Sequence, residues 1–345
     1  AGGLLMAIKG RVGVRHDEDD GYGRPARRTR PRTKDRPDYS AAETGQVVAV
    51  DRGRFTVLID NDAGRRLVTC TKARQLGRKG VIVGDEVRVV GDTSGAEGSL
   101  GRIVEVVERR SVLRRTADDD DPFERPVVAN ADQLAIVTAL ADPPPRPGMI
   151  DRILVAAFDA GLHPILVLTK ADLSSPDELS ALYRDLDVTV VSTYPGSDLD
   201  ELRGLLAGHS TVFVGHSGVG KSTLVNALIP DAGRATGEVN EVTGRGRHTS
   251  TSAVALELPD PGGWVIDTPG IRSFGLSHVT TESIVGAFPD IAEIVSDCPR
   301  GCRHDSTAAE CALDEAVASG RLASARLESF RRMERAWTTP DYELR

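Results

Sequence analysis

The chain has 345 residues, of which 40% are hydrophobic, and its formal net charge is −8. This length exceeds what one hydrophobic core normally serves, so we expect two or three domains. No stretch approaches the run of about 20 apolar residues that crosses a bilayer, and the first ten residues lack a signal-peptide pattern. We therefore expect a cytoplasmic protein.

Charge is distributed unevenly along the chain. Residues 1–115 hold 24 lysines and arginines against 16 aspartates and glutamates, whereas residues 116–345 hold 19 against 35. A basic front part on an acidic protein indicates contact with a polyanion. Ordinary variation of charge along a chain is the alternative.

The front part divides into a tail and a small β domain. Residues 1–40 nearly lack large apolar residues after Val14, which predicts a disordered, basic tail. Residues 41–114 contain five short alternating segments, which predict an OB-like barrel of a kind that commonly binds oligonucleotides. A solvated polar face is the alternative to RNA binding. The basic side chains that favour RNA are Arg65, Arg66, Lys72, Arg74, Arg78 and Lys79.

The rest of the chain predicts a linker and two further domains. Residues 115–128 are rich in charge and are interpreted as a linker. In residues 129–284 apolar runs alternate with helical patterns, which predicts a parallel, doubly wound α/β sheet. Residues 285–345 combine a cysteine cluster with apolar residues at helical spacing. Gly320 is expected to divide the last part into two helices.

A phosphate-binding loop is predicted where the pattern G-x-x-x-x-G-K-S follows a strand and opens a helix. Its backbone N–H groups and the helix N-terminus would surround phosphate oxygens. Lys221 would reach the β- and γ-phosphates, and Ser222 would give its hydroxyl to Mg²⁺. The predicted nucleotide contacts of this loop are Gly215, His216, Ser217, Gly218, Val219, Gly220, Lys221, Ser222 and Thr223.

Two later segments are predicted to complete the phosphate side. Asp267 ends an apolar strand and begins the sequence D-T-P-G. We expect Asp267 to hold Mg²⁺ through water and the N–H of Gly270 to meet the γ-phosphate. Between the two motifs, residues 244–251 read G-R-G-R-H-T-S-T, which suits a loop that orders on γ-phosphate and Mg²⁺. Thr249 is predicted to coordinate the metal, with Thr251 as the alternative.

A guanine-reading motif is predicted from four residues that resemble the N-K-x-D motif of GTPases: Thr169, Lys170, Ala171 and Asp172. The Asp172 carboxylate can accept two hydrogen bonds from the N1–H and N2–H₂ edge of guanine, a pair of donors that adenine lacks. Thr169 replaces the usual Asn and can still tie this loop to the phosphate loop. Ser192 and Thr193, at the end of a later apolar strand, resemble the small-residue loop that completes the base pocket, and Ser192 is the predicted contact.

The order of the motifs is inverted, because Asp172 precedes Lys221 whereas ordinary GTPases place the base motif after the phosphate loop. This order indicates a circularly permuted chain. The sheet can be unchanged, since all sites still lie at the carboxyl ends of its strands.

The catalytic group is less obvious than the binding motifs. Many GTPases place Gln directly after D-T-P-G to orient the attacking water, but Ile271 stands there. Hydrolysis is therefore either very slow or depends on another group. His248 is the candidate catalytic residue because an imidazole can position water near neutral pH. A plain surface position for His248 is the alternative.

Three of the four cysteines crowd near the C-terminal end with a histidine among them. In a cytosolic protein such crowding favours a metal over disulfides. A closed set of three thiolates and one imidazole is typical of structural zinc, because no coordination position remains for water. The predicted Zn²⁺ ligands are Cys298, Cys302, His304 and Cys311.

This combination of features resembles the RsgA (YjeQ) family of small-subunit-dependent GTPases. The features are the basic barrel, the motif T-K-A-D before G-H-S-G-V-G-K-S, the runs G-R-G-R-H-T and D-T-P-G-I-R-S-F-G, and the Cys₃His segment. The resemblance covers roughly residues 41–337. It implies a protein that acts late in assembly of the small ribosomal subunit and binds its rRNA. We also expect the protein to be monomeric. The resemblance also implies GTP hydrolysis that the subunit stimulates, one structural zinc, and for His248 a position similar to that of the family's proposed catalytic histidine.

Other functions stay open at this point. One is an RNA-binding protein whose nucleotide is a conformational ligand with negligible turnover, which Ile271 favours. A P-loop ATPase is disfavoured by Asp172. A permuted GTPase that serves the large subunit is not expected to pair this barrel with this cysteine segment.

Overall fold

The fold was analysed in a computed structural model, and the structure describes the following residues: 39, 42–77, 80–115, 125–230, 253–259, 262–268, 276 and 278–338. Within them, a β-barrel is followed by an α/β sheet and then by a group of helices. A search of these residues finds no helix with the length and apolarity that a membrane span requires. The predicted tail, residues 1–40, lies outside them except for Tyr39.

Five strands form the closed barrel that the sequence predicts: β1 (Glu43–Asp51), β2 (Arg54–Asn61), β3 (Gly64–Lys72), β4 (Glu86–Gly91) and β5 (Gly101–Val106). β1 pairs antiparallel with both β2 and β4, while β5 pairs with β3 and β4, and these pairings close the ring. Alternating apolar side chains, including Val57 and Ile59, fill the interior. Cys70 lies among them, and burial raises the pKa of its thiol to about 12, so this cysteine is a core residue.

A hairpin occupies both ends of the stretch predicted as a linker. Strands β6 (Val112–Arg115) and β7 (Arg125–Ala129) pair antiparallel. Leu113 and Val128 are almost completely buried, so apolar packing fixes this hairpin. The stretch predicted as a linker thus contains strand residues at Arg115 and from Arg125 onward, and the limits of the domains and the linker stay predictions.

The α/β region contains the parallel sheet that the sequence predicts. Its strands are β8 (Gln133–Ala139), β9 (His163–Thr169), β10 (Thr189–Ser192), β11 (Ser210–Val214), β12 (Val254–Glu257) and β13 (Trp264–Asp267). Their order is β10-β9-β8-β11-β13-β12, and all pairs are parallel except β12 with β13. The carboxyl ends of β8, β9, β10, β11 and β13 therefore meet at one edge. The helices that connect these strands are α1 (Pro147–Asp159), α2 (Asp177–Tyr183), α3 (Asp200–Leu206) and α4 (Lys221–Leu228).

The barrel and the α/β sheet are joined along one strand. β1 pairs antiparallel with β12 at Ala49 and Val254, so the hydrogen-bonded sheet continues from one part into the other. Arg65 on β3 reaches Glu257 on β12 through two hydrogen bonds of 2.9 and 2.5 Å, and its guanidinium lies 6.0 Å from the ring centroid of Trp264. Arg65, predicted to favour RNA, is thus also a contact between the two parts.

Four helices follow the sheet: α5 (Thr281–Gly286), α6 (Pro289–Val295), α7 (Ala312–Ala318) and α8 (Ser324–Thr338). Gly320 has φ 75° and separates the last two, as predicted. The helices α5 and α6 were not predicted in residues 281–295, because each helix has only about two turns and shows little periodicity of its own.

Helix α8 packs against α1 of the α/β region. Arg332 on α8 bonds to the buried Asp151 at 3.1 Å, and Arg152 on α1 donates to the carbonyl of Ala336 at 2.9 Å. Burial raises the pKa of Asp151, and the positive charge of Arg332 opposes that shift. The C-terminal helix is therefore fixed to the sheet region by polar contacts inside an apolar interface.

Candidate functional site

The predicted phosphate loop connects β11 to α4 at the common edge of the sheet. Gly218 and Gly220 have φ of 86° and 89°, a backbone region that favours glycine. A Cβ on Gly215 would lie 2.5 Å from the carbonyl oxygen of Val137, so this position has no room for a side chain. Val219 is buried and anchors the loop, whereas Ser217 is exposed. The loop therefore presents backbone to solvent in the manner that phosphate binding requires.

Lys221 and Asp267 meet beside this loop. The Lys221 Nζ forms an ion pair and hydrogen bond with the Asp267 Oδ1. The position of Asp267 is set by β13, where it lies opposite Phe213 in the parallel ladder, and the adjacent Thr268 hydroxyl donates to the Phe213 carbonyl at 2.8 Å. The structure thus brings the predicted phosphate-binding lysine to the predicted magnesium carboxylate.

The oxygen groups near Lys221 fit a magnesium ion. Mg²⁺ prefers a few carboxylate or hydroxyl oxygens together with water and phosphate. The Asp267 carboxylate is 29% exposed, and Ser222 at the start of α4 is exposed as well. Thr249, the other predicted ligand, lies outside the described residues, as do His248, Thr251, Gly270 and Ile271.

The predicted base loop begins at the end of β9 and contacts the phosphate loop directly. The Thr169 hydroxyl lies 2.5 Å from the carbonyl oxygen of Val219, to which it donates, and 3.2 Å from that of Thr138. Lys170 has φ 58°, and its Nζ donates to the carbonyl of Asp142. The two loops therefore form one continuous surface in spite of the 50 residues between Thr169 and Val219.

A third loop completes this edge. Thr193 donates its N–H to the carbonyl of Leu168 at 2.8 Å and accepts the N–H of Ala171 at 3.1 Å. Ser192 pairs with Leu168 in the parallel ladder. Asp172 follows Ala171 and is exposed, so its carboxylate is open to a ligand. The structure thus brings Ser192 and Asp172 to neighbouring loops.

The four predicted zinc ligands lie together between α6 and α7. Their ligand atoms are all within 4.8 Å of one another, and the Nδ1 of His304 is 3.5 Å from the Cys298 sulfur and 4.0 Å from the Cys311 sulfur. In a tetrahedral zinc site such atoms are about 3.6–3.8 Å apart, since Zn–S is about 2.3 Å. With Cys302 as the fourth ligand, the donor atoms and their spacing therefore fit one Zn²⁺ ion.

The surroundings of this cluster act in opposite directions on its histidine and its buried cysteine. Burial lowers the pKa of His304, with a contribution from Arg331, so the neutral imidazole that binds metals is favoured. Burial also raises the pKa of the Cys311 thiol to about 11 in the metal-free chain. Arg331 donates to the His304 carbonyl at 3.0 Å and pairs with Asp314 through two hydrogen bonds of 2.8 and 2.7 Å. These contacts orient the histidine.

Two residues of these sites were not found from the sequence. Asp142 contributes a carbonyl to Lys170, and Arg331 supports His304. The signal for Asp142 is the run D-P-P-P after β8, which places a turn at the carboxyl end of a strand. Arg331 acts through a bond to the His304 carbonyl that only the folded chain defines.

Known proteins resemble this chain over most of its length. The family model described as RsgA GTPase matches residues 106–277. The small ribosomal subunit biogenesis GTPase RsgA of Pseudomonas aeruginosa (strain LESB58) is 39% identical over an alignment of 314 residues, and the match covers 88% of this chain and 88% of that protein.

Two solved structures are similar as well. The crystal structure of YjeQ from Thermotoga maritima has a TM-score of 0.62 and 28% identity, and the match covers 86% of this chain and 99% of that one. YloQ, described as a circularly permuted GTPase, has a TM-score of 0.61 and 25% identity, with 87% of this chain and 96% of that one covered.

Proposed function

This chain belongs to the RsgA GTPase family and is thus a GTP-hydrolysing enzyme, and from that premise we propose that it acts as a late checkpoint in assembly of the small ribosomal subunit. The relative from Pseudomonas aeruginosa is named for small ribosomal subunit biogenesis. The observation that carries the nucleotide-binding part of the proposal is the hydrogen bond from Thr169 to Val219, because it holds the base loop against the phosphate loop.

In the proposed site, the phosphate loop binds the nucleotide phosphates of GTP and GDP. Backbone N–H groups of residues 215–220 surround the phosphates, and the helix dipole of α4 adds positive potential. Lys221 leaves Asp267 and pairs with the β- and γ-phosphates. Asp172 and Ser192 form the guanine end, and Asp172 rejects adenine. The N–H of Gly270 meets the γ-phosphate.

A bound Mg²⁺ would neutralise phosphate charge. Ser222, Thr249 and Asp267 would hold it. Asp267 is supported in this role by the Thr268 hydroxyl, whose bond to Phe213 fixes the end of β13. The ion pair with Lys221 keeps both charged groups compensated in the absence of nucleotide.

Hydrolysis is proposed to use His248 to position the attacking water, because Ile271 cannot. His248 lies in the G-R-G-R-H-T run next to Thr249, the proposed metal ligand. An imidazole beside a metal-binding threonine would lie near the γ-phosphate that shares the metal.

The barrel and the C-terminal cluster are proposed to serve binding and stability. The barrel binds rRNA through basic side chains such as Lys72 and Arg74. The side chains of Cys298, Cys302, His304 and Cys311 bind one structural Zn²⁺ ion. Such a role places the protein in the cytoplasm, as a monomer bound to the small subunit.

The test is GTP turnover titrated with purified small subunits. We expect turnover to rise with subunit concentration and to vanish in Lys221→Ala. If the protein binds GTP tightly but its turnover stays negligible with and without subunits, the result would support the alternative that Ile271 favours, an RNA-binding protein whose nucleotide is only a conformational ligand.

A further inference from the structure

Exposed apolar side chains cluster beside the base loop. The large hydrophobic residues that are exposed in the described part of the chain are Leu100, Leu173 and Tyr194. Leu173 directly follows Asp172, and Tyr194 directly follows Thr193. Both thus stand on the loops that form the proposed guanine end of the nucleotide site, whereas Leu100 lies on the barrel.

The position of Tyr194 is coupled to that of Asp172. The N–H of Ala171 donates to the carbonyl of Thr193 at 3.1 Å, and this bond joins the two loops. Asp172 directly follows Ala171, the donor of that bond, and Tyr194 directly follows Thr193, its acceptor. Because consecutive Cα atoms are about 3.8 Å apart, each of the two residues starts within one residue of this bond.

The backbone of Tyr194 is held independently of its ring. Its N–H donates to the Ser197 hydroxyl at 3.1 Å, and the Ser197 N–H donates to the Tyr194 carbonyl at 3.0 Å. Pro195 and Gly196, the latter with φ 87°, occupy the central positions of this turn, as a type II turn favours. The ring is therefore not needed to hold the loop.

Tyr194 is partly open to solvent. The residue is 49% exposed, and the aromatic and cation–ring contacts that join described residues do not involve it. A rigidly mounted, half-exposed aromatic ring beside a base-binding carboxylate is suited to stacking on a nucleobase.

We propose that the Tyr194 ring stacks on the guanine base of bound GTP and GDP and so positions the base against Asp172. This inference rests on the proposed function, because it assumes guanine nucleotide at this edge of the sheet. The carboxylate fixes the base in its own plane, and the ring holds one face of it. Stacking does not distinguish bases, so selection of guanine stays with Asp172.

The test measures GDP binding to the full-length chain by titration calorimetry in the presence of Mg²⁺. Tyr194→Ala should weaken GDP binding about tenfold, as loss of one base–aromatic stack does. Tyr194→Phe and Tyr194→Trp keep a ring and should bind within about twofold of wild type. Leu100→Ala, a matched exposed hydrophobic residue away from the site, should leave GDP affinity unchanged. Tripolyphosphate has no base and should bind wild type and Tyr194→Ala equally.

Two further readouts separate stacking from a structural effect. The tryptophan fluorescence of Tyr194→Trp should decrease when GDP is added. This decrease should exceed any change that GDP causes in the fluorescence of the two native tryptophans of the wild-type protein. Thermal unfolding of Tyr194→Ala should match wild type, because the turn bonds come from the backbone and Ser197.

The outcomes distinguish this inference from the proposed function. Unchanged GDP affinity in Tyr194→Ala, or an equal loss of tripolyphosphate binding, would overturn stacking while the guanine site stands. A weakening that Tyr194→Phe fails to restore would also overturn it. Wild-type protein that binds neither GDP nor GTP would overturn the proposed function.

Discussion

The Thr169 hydroxyl donates a 2.5 Å hydrogen bond to the carbonyl of Val219, and this bond joins the end of β9 to the phosphate loop. The residue therefore does what the sequence predicted for a hydroxyl that replaces asparagine. It makes the base loop and the phosphate loop parts of one site although their order along the chain is inverted.

Removing this hydroxyl should loosen the nucleotide site. Thr169→Val keeps the shape but leaves the Val219 carbonyl without its donor, and a hydrogen bond of this kind contributes about 1 kcal/mol. We expect GDP affinity to fall about fivefold and Thr169→Ser to retain wild-type affinity. Equal GDP affinities of wild type and Thr169→Val would show that the bond does not support the site.

Asp267 should control the magnesium requirement of turnover. Asp267→Asn removes the negative charge that we assign to the metal and leaves Lys221 without its ion-pair partner. The Mg²⁺ concentration for half-maximal GTP turnover should rise about tenfold or more. Asp297→Asn, a carboxylate outside the nucleotide site, serves as the control, and an unchanged Mg²⁺ dependence of Asp267→Asn would contradict the assignment.

Zinc affinity should rise with pH. Burial raises the pKa of the metal-free Cys311 thiol to about 11, so zinc must displace a proton from it throughout the neutral range. The pKa of His304 is lowered by burial, so the imidazole adds little proton release near pH 7. Competition with a chelator should show affinity that rises about 100-fold or more from pH 6 to pH 8. An affinity that does not change with pH would refute thiolate ligation.

The contact between Arg65 and Glu257 should transmit subunit binding to the nucleotide site. It joins the barrel to β12, the strand that pairs with β13 and so lies next to Asp267. Arg65→Ala should reduce the stimulation of turnover by small subunits and leave turnover of the isolated protein unchanged. Glu257→Gln breaks the ion pair but keeps Arg65 available to RNA, so it distinguishes the two roles of Arg65. Full stimulation in Glu257→Gln would assign Arg65 to RNA alone.

The sequence predicted the elements that depend on local pattern. The barrel strands, the alternation of strands and helices, and the division at Gly320 follow from periodicity and glycine positions. The phosphate loop follows from glycines whose backbone the fold requires, as at Gly215 and Gly218. The cysteine cluster follows from close spacing along the chain.

Features that depend on distant contacts could not be predicted in this way. The hairpin of β6 and β7 is fixed by burial of Leu113 and Val128 in a core that forms from other segments. The pairing of β1 with β12 joins residues some two hundred positions apart, as Ala49 and Val254 show. Lys221 and Asp267 meet only because parallel strands bring their carboxyl ends to one edge.

The central claim is that Asp172 and Lys221, in inverted order, bind the two ends of one guanine nucleotide. Xanthine carries a carbonyl where guanine carries its N2 amine, so an amide in place of the carboxylate complements xanthine. The direct measurement is therefore turnover of GTP and XTP by wild type and Asp172→Asn, with Lys221→Ala in each background. We predict that Asp172→Asn reverses the preference toward XTP and that Lys221→Ala abolishes turnover of both nucleotides. A variant Asp172→Asn that still prefers GTP would contradict the account.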